Sequence, residues 1–167
     1  MTTKQKQDVI WQFTNQRELT KSEFINYFER KVFRTIRKNQ MLPENKIFIL
    51  KKSEDLNTKV LKQILETKFQ IKFSKKPNIS SANLSSEAED IFKNITKGKF
   101  DNPQKTNAPL IYLSDKEIEL YAKLKNIKGT KRKQNKTIQT LFNKFLSKNQ
   151  DLEVNILKAQ NQINGNR

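Results

Sequence analysis

Ile47-Phe48-Ile49-Leu50, then Ser53-Glu54-Asp55, then a stripe of Leu56, Val60, Leu61, Ile64 and Leu65, then Phe69, Ile71 and Phe73 in alternation: this stretch decides the fold. The first run has the length and composition of a buried strand, and Pro43 breaks the chain just before it. The acidic triplet suits the positive end of a helix dipole, and the stripe that follows has helical period. The last three residues alternate as a second strand does. A strand, a helix and a strand within so short a span predict a right-handed βαβ unit with a parallel pair, hence an α/β fold.

Upstream, Val9, Trp11 and Phe13 alternate along a predicted strand over 8–14, followed by a turn through Asn15–Glu18. Thr20 and Glu23 have capping-box spacing, with Leu19 and Phe24 placed as a hydrophobic staple. The helix they open carries Phe24, Phe28, Val32 and Ile36 on one stripe and runs to about Asn39. Downstream, 74–81 reads as polar loop. A helix over 85–96 carries Ala88, Ile91, Phe92 and Ile95, with Gly98 at its C-terminal cap. Ser114 and Glu117 form another capping box for a helix with Ile118, Tyr121 and Leu124. Beyond Gly129 a helix with Ile138, Leu141, Phe142 and Phe145 on one buried stripe is expected, and Asp151 opens a last one. These readings divide the chain into an N-terminal strand and basic helix (1–42), an α/β core (43–98), a linker (99–113) and a C-terminal basic helical region (114–167).

The 167 residues hold 34 Lys+Arg against 17 Asp+Glu, a net charge of +17. Polyanions are the expected partners, although an AT-rich genome also writes an excess of Lys and Asn. Cysteine and histidine are absent. That excludes disulfides, thiolate nucleophiles, imidazole bases and the usual zinc or iron–sulfur ligand sets. No general acid–base pair stands out among the carboxylates, so no catalytic residue and no metal ligand can be named. No run of about 20 apolar residues is present, and Met1–Asp8 lacks the apolar centre of a signal peptide, so a cytoplasmic protein without a membrane partner is expected.

The charge clusters. Lys123, Lys125, Lys128, Lys131, Arg132, Lys133, Lys136, Lys144 and Lys148 follow one another with no acidic residue between them. Lys131-Arg132-Lys133 is expected in a solvated loop, free to converge on a phosphate backbone together with Lys128 and Lys136. Arg30, Arg34, Arg37 and Lys38 form a second candidate RNA-binding set, which a plain exposed helix face also explains. The phenylalanines sit on stripes expected to be buried, so stacking on bases is not indicated.

Several stretches resemble the cytosolic and archaeal tRNA wobble-uridine 2-thiolation proteins of the PP-loop ATP pyrophosphatase superfamily. Leu19-Thr20-Lys21-Ser22-Glu23-Phe24, continuing through Tyr27–Val32 to Thr35-Ile36-Arg37-Lys38, resembles that family's opening helix. Asn83-Leu84 with Glu87-Ala88-Glu89 resembles its second nucleotide motif. Pro109-Leu110 with Ser114-Asp115-Lys116-Glu117-Ile118-Glu119-Leu120-Tyr121-Ala122 resembles its C-terminal signature, and Asn149–Asn155 its tail.

The resemblance implies a parallel-sheet nucleotide-hydrolase-like core. It also implies a glycine-rich phosphate loop after the first core strand, ATP with Mg, and cysteines holding a metal or an iron–sulfur cluster. Here the loop position reads Lys51-Lys52-Ser53-Glu54-Asp55, without glycine; Ser85 and Ser86 stand where paired aspartates are expected; and Lys131-Arg132-Lys133 stands where a cysteine pair would fall. The core is expected to be contracted between Phe73 and Ser80. With a vestigial ATP loop and no cofactor ligands, the expected protein binds tRNA or another RNA and is catalytically silent alone. Two alternatives stay open: one subunit of a split tRNA sulfurtransferase whose active site lies on a second protein chain, and a basic ribosome- or DNA-associated protein.

Overall fold

A computed structural model describes residues 8–100 and 107–165. Strand β1 (Val9–Gln12) pairs antiparallel with β2 (Glu18–Thr20), Trp11 opposite Leu19 and Gln12 opposite Glu18, with an irregularity between Val9 and Trp11. The sequence predicts the first strand, but the second is three residues long, too short to show a period, and its residues were expected in the turn and the helix start. Helix α1 (Lys21–Lys38) begins at the expected capping box: the Glu23 carboxylate accepts from the Thr20 N–H at 2.9 Å and its hydroxyl at 3.0 Å.

Strand β3 (Ile47–Leu50), helix α2 (Leu56–Glu66) and strand β4 (Gln70–Phe73) form the predicted βαβ unit, a two-stranded parallel sheet with Ile47 opposite Gln70 and Leu50 opposite Phe73. The outer edge of β3 is covered by Asn78, whose N–H donates to the Ile49 carbonyl at 3.0 Å. Asn78 accepts from the Ile49 N–H at 2.7 Å and donates to the Ile47 carbonyl at 3.1 Å, as a neighbouring strand would. A sheet edge left bare is a template for unwanted pairing, and this amide caps it.

Helices α3 (Leu84–Thr96), α4 (Asp115–Leu124), α5 (Lys136–Leu146) and α6 (Leu152–Gly165) complete a mixed α/β fold. At the second expected capping box, the Glu117 carboxylate accepts from the Ser114 N–H at 2.7 Å. The main core joins Phe24, Phe28, Val32 and Ile36 of α1 to Phe48, to Val60, Leu61, Ile64 and Leu65 of α2, and to Ile118 and Tyr121 of α4. Phe28 and Tyr121 stack at 4.3 Å between ring centroids. Burying each large side chain of this kind contributes about 1.5–3 kcal/mol.

Of the stretch read as a linker, 101–106 lie outside the described residues. Ala108, Leu110, Ile111 and Leu113 are fully buried, and the Leu84 N–H donates to the Leu113 carbonyl at 3.0 Å, so this end of it is packed between α3 and α4. No helix among the described residues is long and apolar enough to cross a membrane.

Candidate functional site

A phosphate loop belongs where a parallel strand ends and a helix begins, because the first-turn N–H groups of the helix point out of the crevice with the positive end of its dipole. Here that place is the β3–α2 junction. Asp55 is the N-cap of α2, and its carboxylate accepts from the Thr58 N–H and the Thr58 hydroxyl, each at 2.8 Å. The Leu56 N–H donates to the Thr130 carbonyl at 2.8 Å, while the Thr130 N–H donates back to the Glu54 carbonyl at 2.9 Å. Residues 129–130 therefore lie across the junction as a strap in parallel register with Asp55.

Gly129 permits this close approach. A Cβ there would sit 2.9 Å from the Leu56 Cα and 3.2 Å from the Glu54 carbonyl oxygen. Glu54 itself is paired with Lys59 at 2.6 Å, and this hydrogen bond and charge hold its carboxyl below the usual range. Leu56 and Thr58 thus direct their amide protons to the chain's own oxygens, and the Asp55 carboxylate lies where a phosphate loop would hold its anion. An iron–sulfur cluster has no cysteine to hold it in this sequence. Among the described residues no three acidic side chains gather as a metal site.

The knot at 131–133 is a loop with Lys131 and Lys133 exposed, but Arg132 is drawn inward. Arg132 Nε lies 3.0 and 2.9 Å from the two Asp115 carboxylate oxygens, and its other nitrogens reach Asp115 Oδ2 at 2.8 Å and Glu89 Oε2 at 2.9 Å. Burial opposes its charge, but hydrogen bonds to Asp115 and Glu89 outweigh that and raise its pKa. Lys131 pairs with Glu119 at 2.7 Å, and Lys125 with Glu29 at 3.5 Å. A run without acids in the sequence meets acids from α1, α3 and α4 in space. That partnering is invisible to a reading confined to neighbours along the chain.

Around Arg132 the network continues inward. Buried Asn83 donates to Asp115 Oδ1 at 2.7 Å, and the Asn135 N–H donates to Glu89 at 2.8 Å. Ser85, expected as a replaced nucleotide-binding aspartate, accepts from the Asp115 N–H at 2.9 Å and donates to Glu153 at 3.0 Å. Ser86 donates to the Asn83 carbonyl at 2.9 Å, within the α3 cap. Burial and the nearby Asp115 charge raise the Glu153 carboxyl above the usual range, against the lowering effect of the Ser85 hydrogen bond.

What remains for a polyanion are cations without partners. Among the described residues no carboxylate pairs with Lys128, Lys133 or Lys136, nor with Arg30, Arg34, Arg37 or Lys38, and all seven are exposed. Lys51 and Lys52 are exposed as well. Lys31 belongs to the interior instead: it donates to the Tyr27 hydroxyl at 2.7 Å, which donates to Glu117 at 2.6 Å, and burial lowers its pKa.

The 129–130 strap meets the first residue of α2, whereas Phe33 of α1 packs on Phe69 just beyond its end; nearer the middle of α1, Glu29, next to Arg30, pairs with Lys125, three residues before Lys128. A cleft of about 480 Å³ runs between the N-terminal hairpin and α4, but Lys31 and Lys116 share its walls with Glu117, Glu119, Asp151 and Glu153, so it does not extend the basic surface.

No protein-family model matches this sequence, and no curated protein matches it. Among solved structures, the U34-tRNA thiolase NcsA from Methanococcus maripaludis, determined with its [4Fe-4S] cluster, is similar over 93% of this chain and 84% of that chain, with a TM-score of 0.71 and 12% sequence identity. At that identity the similarity is one of fold: this chain is built on the same α/β framework as a U34-tRNA thiolase.

Proposed function

We propose that this chain is a tRNA-binding protein, distantly related to tRNA 2-thiolation enzymes, that performs no ATP-dependent chemistry by itself. The observation that carries the reading is a contrast within one structure. The Leu56 and Thr58 amides at the start of α2 are engaged by Thr130 and Asp55, while among the described residues no carboxylate pairs with the exposed Lys128, Lys133, Lys136, Arg30, Arg34, Arg37 and Lys38.

The shared fold supports the choice of tRNA among polyanions. In this reading the contracted core, with no strand or helix between β4 and α3, has lost the nucleotide site and kept an outer surface for RNA. The protein acts in the cytoplasm, where tRNA is. Phosphate contacts of this kind position an RNA without reading its sequence, so recognition follows shape. Two cation sets on separate elements, one on α1 and one on residues 128–136, fit a folded RNA that meets both better than one short strand.

Sequencing the nucleic acid recovered with the affinity-purified chain is the test. Enrichment of tRNA over ribosomal RNA and DNA is expected. Ribosomal RNA or DNA in its place would overturn the reading.

A further inference from the structure

Helix α5 carries one broad apolar face, of which only part is covered. Ile138 and Phe142 are buried against α3, with Phe92 and Phe142 in an edge-to-face pair at 5.4 Å. Leu141 and Phe145, expected on that same stripe, are 39% and 58% exposed. Neighbours on a helix surface are three and four positions apart. Leu141, Lys144, Phe145 and Lys148 therefore form one contiguous patch, since the turn continues through Lys148, whose N–H donates to the Phe145 carbonyl at 3.0 Å. Lys144 and Lys148 are exposed, and no carboxylate pairs with either among the described residues. Residues 131–150 contain no Asp or Glu at all, so the patch continues the segment that carries Lys133 and Lys136.

An exposed ring beside two ammonium groups that meet no carboxylate among the described residues fits a ligand that is flat and uncharged at its face and anionic at its edge. An unstacked base with its flanking phosphates has that form. An acidic amphipathic helix would also answer the charge, but helix docking needs a groove with several apolar anchors, and this patch offers one ring and one leucine. We propose that Phe145 is a stacking platform for an unpaired base of bound RNA, with Lys144 and Lys148 on the adjoining phosphates. The inference rests on the RNA-binding reading and adds to it a site for single-stranded segments.

The test uses the full chain with a mixed-sequence single-stranded oligoribonucleotide and with folded tRNA. Phe145→Ala weakens oligonucleotide binding about fivefold or more, leaves the salt dependence unchanged because no phosphate contact is lost, and leaves the unfolding midpoint unchanged because the ring is exposed. Phe145→Leu weakens it likewise. Phe145→Trp keeps the affinity, and its indole emission is quenched on binding, above the background of Trp11, which is packed on Phe24. If Phe145→Leu binds as wild type does while Phe145→Ala does not, the patch is merely apolar and stacking is refuted. If both bind as wild type does, the platform does not exist, although the RNA-binding reading stands. A change only in the sedimentation of the RNA-free Phe145→Ala chain would make the patch a contact between two copies and overturn the proposal. A wild-type chain that binds neither RNA would end both readings.

Discussion

Arg132 and Asp115 face each other as a fork meets a fork: two guanidinium nitrogens reach one carboxylate, all three N···O distances at 3.0 Å or less, with both side chains less than a fifth exposed. Glu89 takes the remaining direction. With Glu89 the pair ties the segment after Gly129 to α3 and to the first turn of α4, so its role is to hold three elements together.

Replacing Arg132 strands two partly buried carboxylates. Arg132→Ala is expected to lower unfolding stability by about 2–4 kcal/mol in urea titration. Arg132→Lys recovers only part of this, because an ammonium cannot make the bidentate contact. Lys133→Ala, one residue on but exposed and unpaired, changes stability by less than about 0.5 kcal/mol. Equal effects at 132 and 133 would contradict the network.

Glu153 gives a pH dependence of definite sign. Its folded-state carboxyl is raised by burial, so the folded chain keeps a proton that the unfolded chain has released. Its cost to stability appears as the pH rises through the ordinary glutamate range and is complete above the raised value. Glu153→Gln therefore stabilises the chain at neutral pH, and the gain vanishes below about pH 4. Unfolding midpoints of both proteins across that range check this; a gain that persists unchanged in acid would contradict it.

Gly129 is required by close approach to backbone, not to a flexible side chain. Gly129→Ala must displace the strap from Leu56, at an expected cost of about 1–3 kcal/mol. Faster hydrogen exchange at the Leu56 and Thr130 amides would report it. Unchanged exchange would mean that the strap is not held this way.

Mg-ATP should give no saturable heat in calorimetric titration of the isolated chain, since Asp55 and Thr130 occupy the donors of the α2 N-terminus. Saturable micromolar binding that Asp55→Lys tightens would show the cradle to be open after all.

The parallel unit was legible in the sequence because a run of Ile47–Leu50, an uninterrupted helical stripe and a period-two ending coincide. The capping pairs Thr20/Glu23 and Ser114/Glu117 were legible because both partners lie within four residues. The partners of Arg132 were not. Glu89 and Asp115 come from separate helices, and nothing local joins them to residue 132. Phe145 misled for a related reason: helical period shows that Ile138, Leu141, Phe142 and Phe145 share a broad face, but not how much of that face its neighbours cover. Buried Ile138 and Phe142 and exposed Leu141 and Phe145 lie on the same face, and only the placement of α3 divides them.

The salt dependence of tRNA binding reports whether the exposed cations carry the RNA. If the seven unpaired cations meet phosphates, the logarithm of the affinity falls against the logarithm of salt concentration with a slope of about −5 to −6. Replacing Lys128, Lys133 and Lys136 with Ala flattens it by about two to three units, as does replacing Arg30, Arg34 and Arg37. A slope shallower than about −2, or one that neither triple substitution changes, would contradict binding through these surfaces.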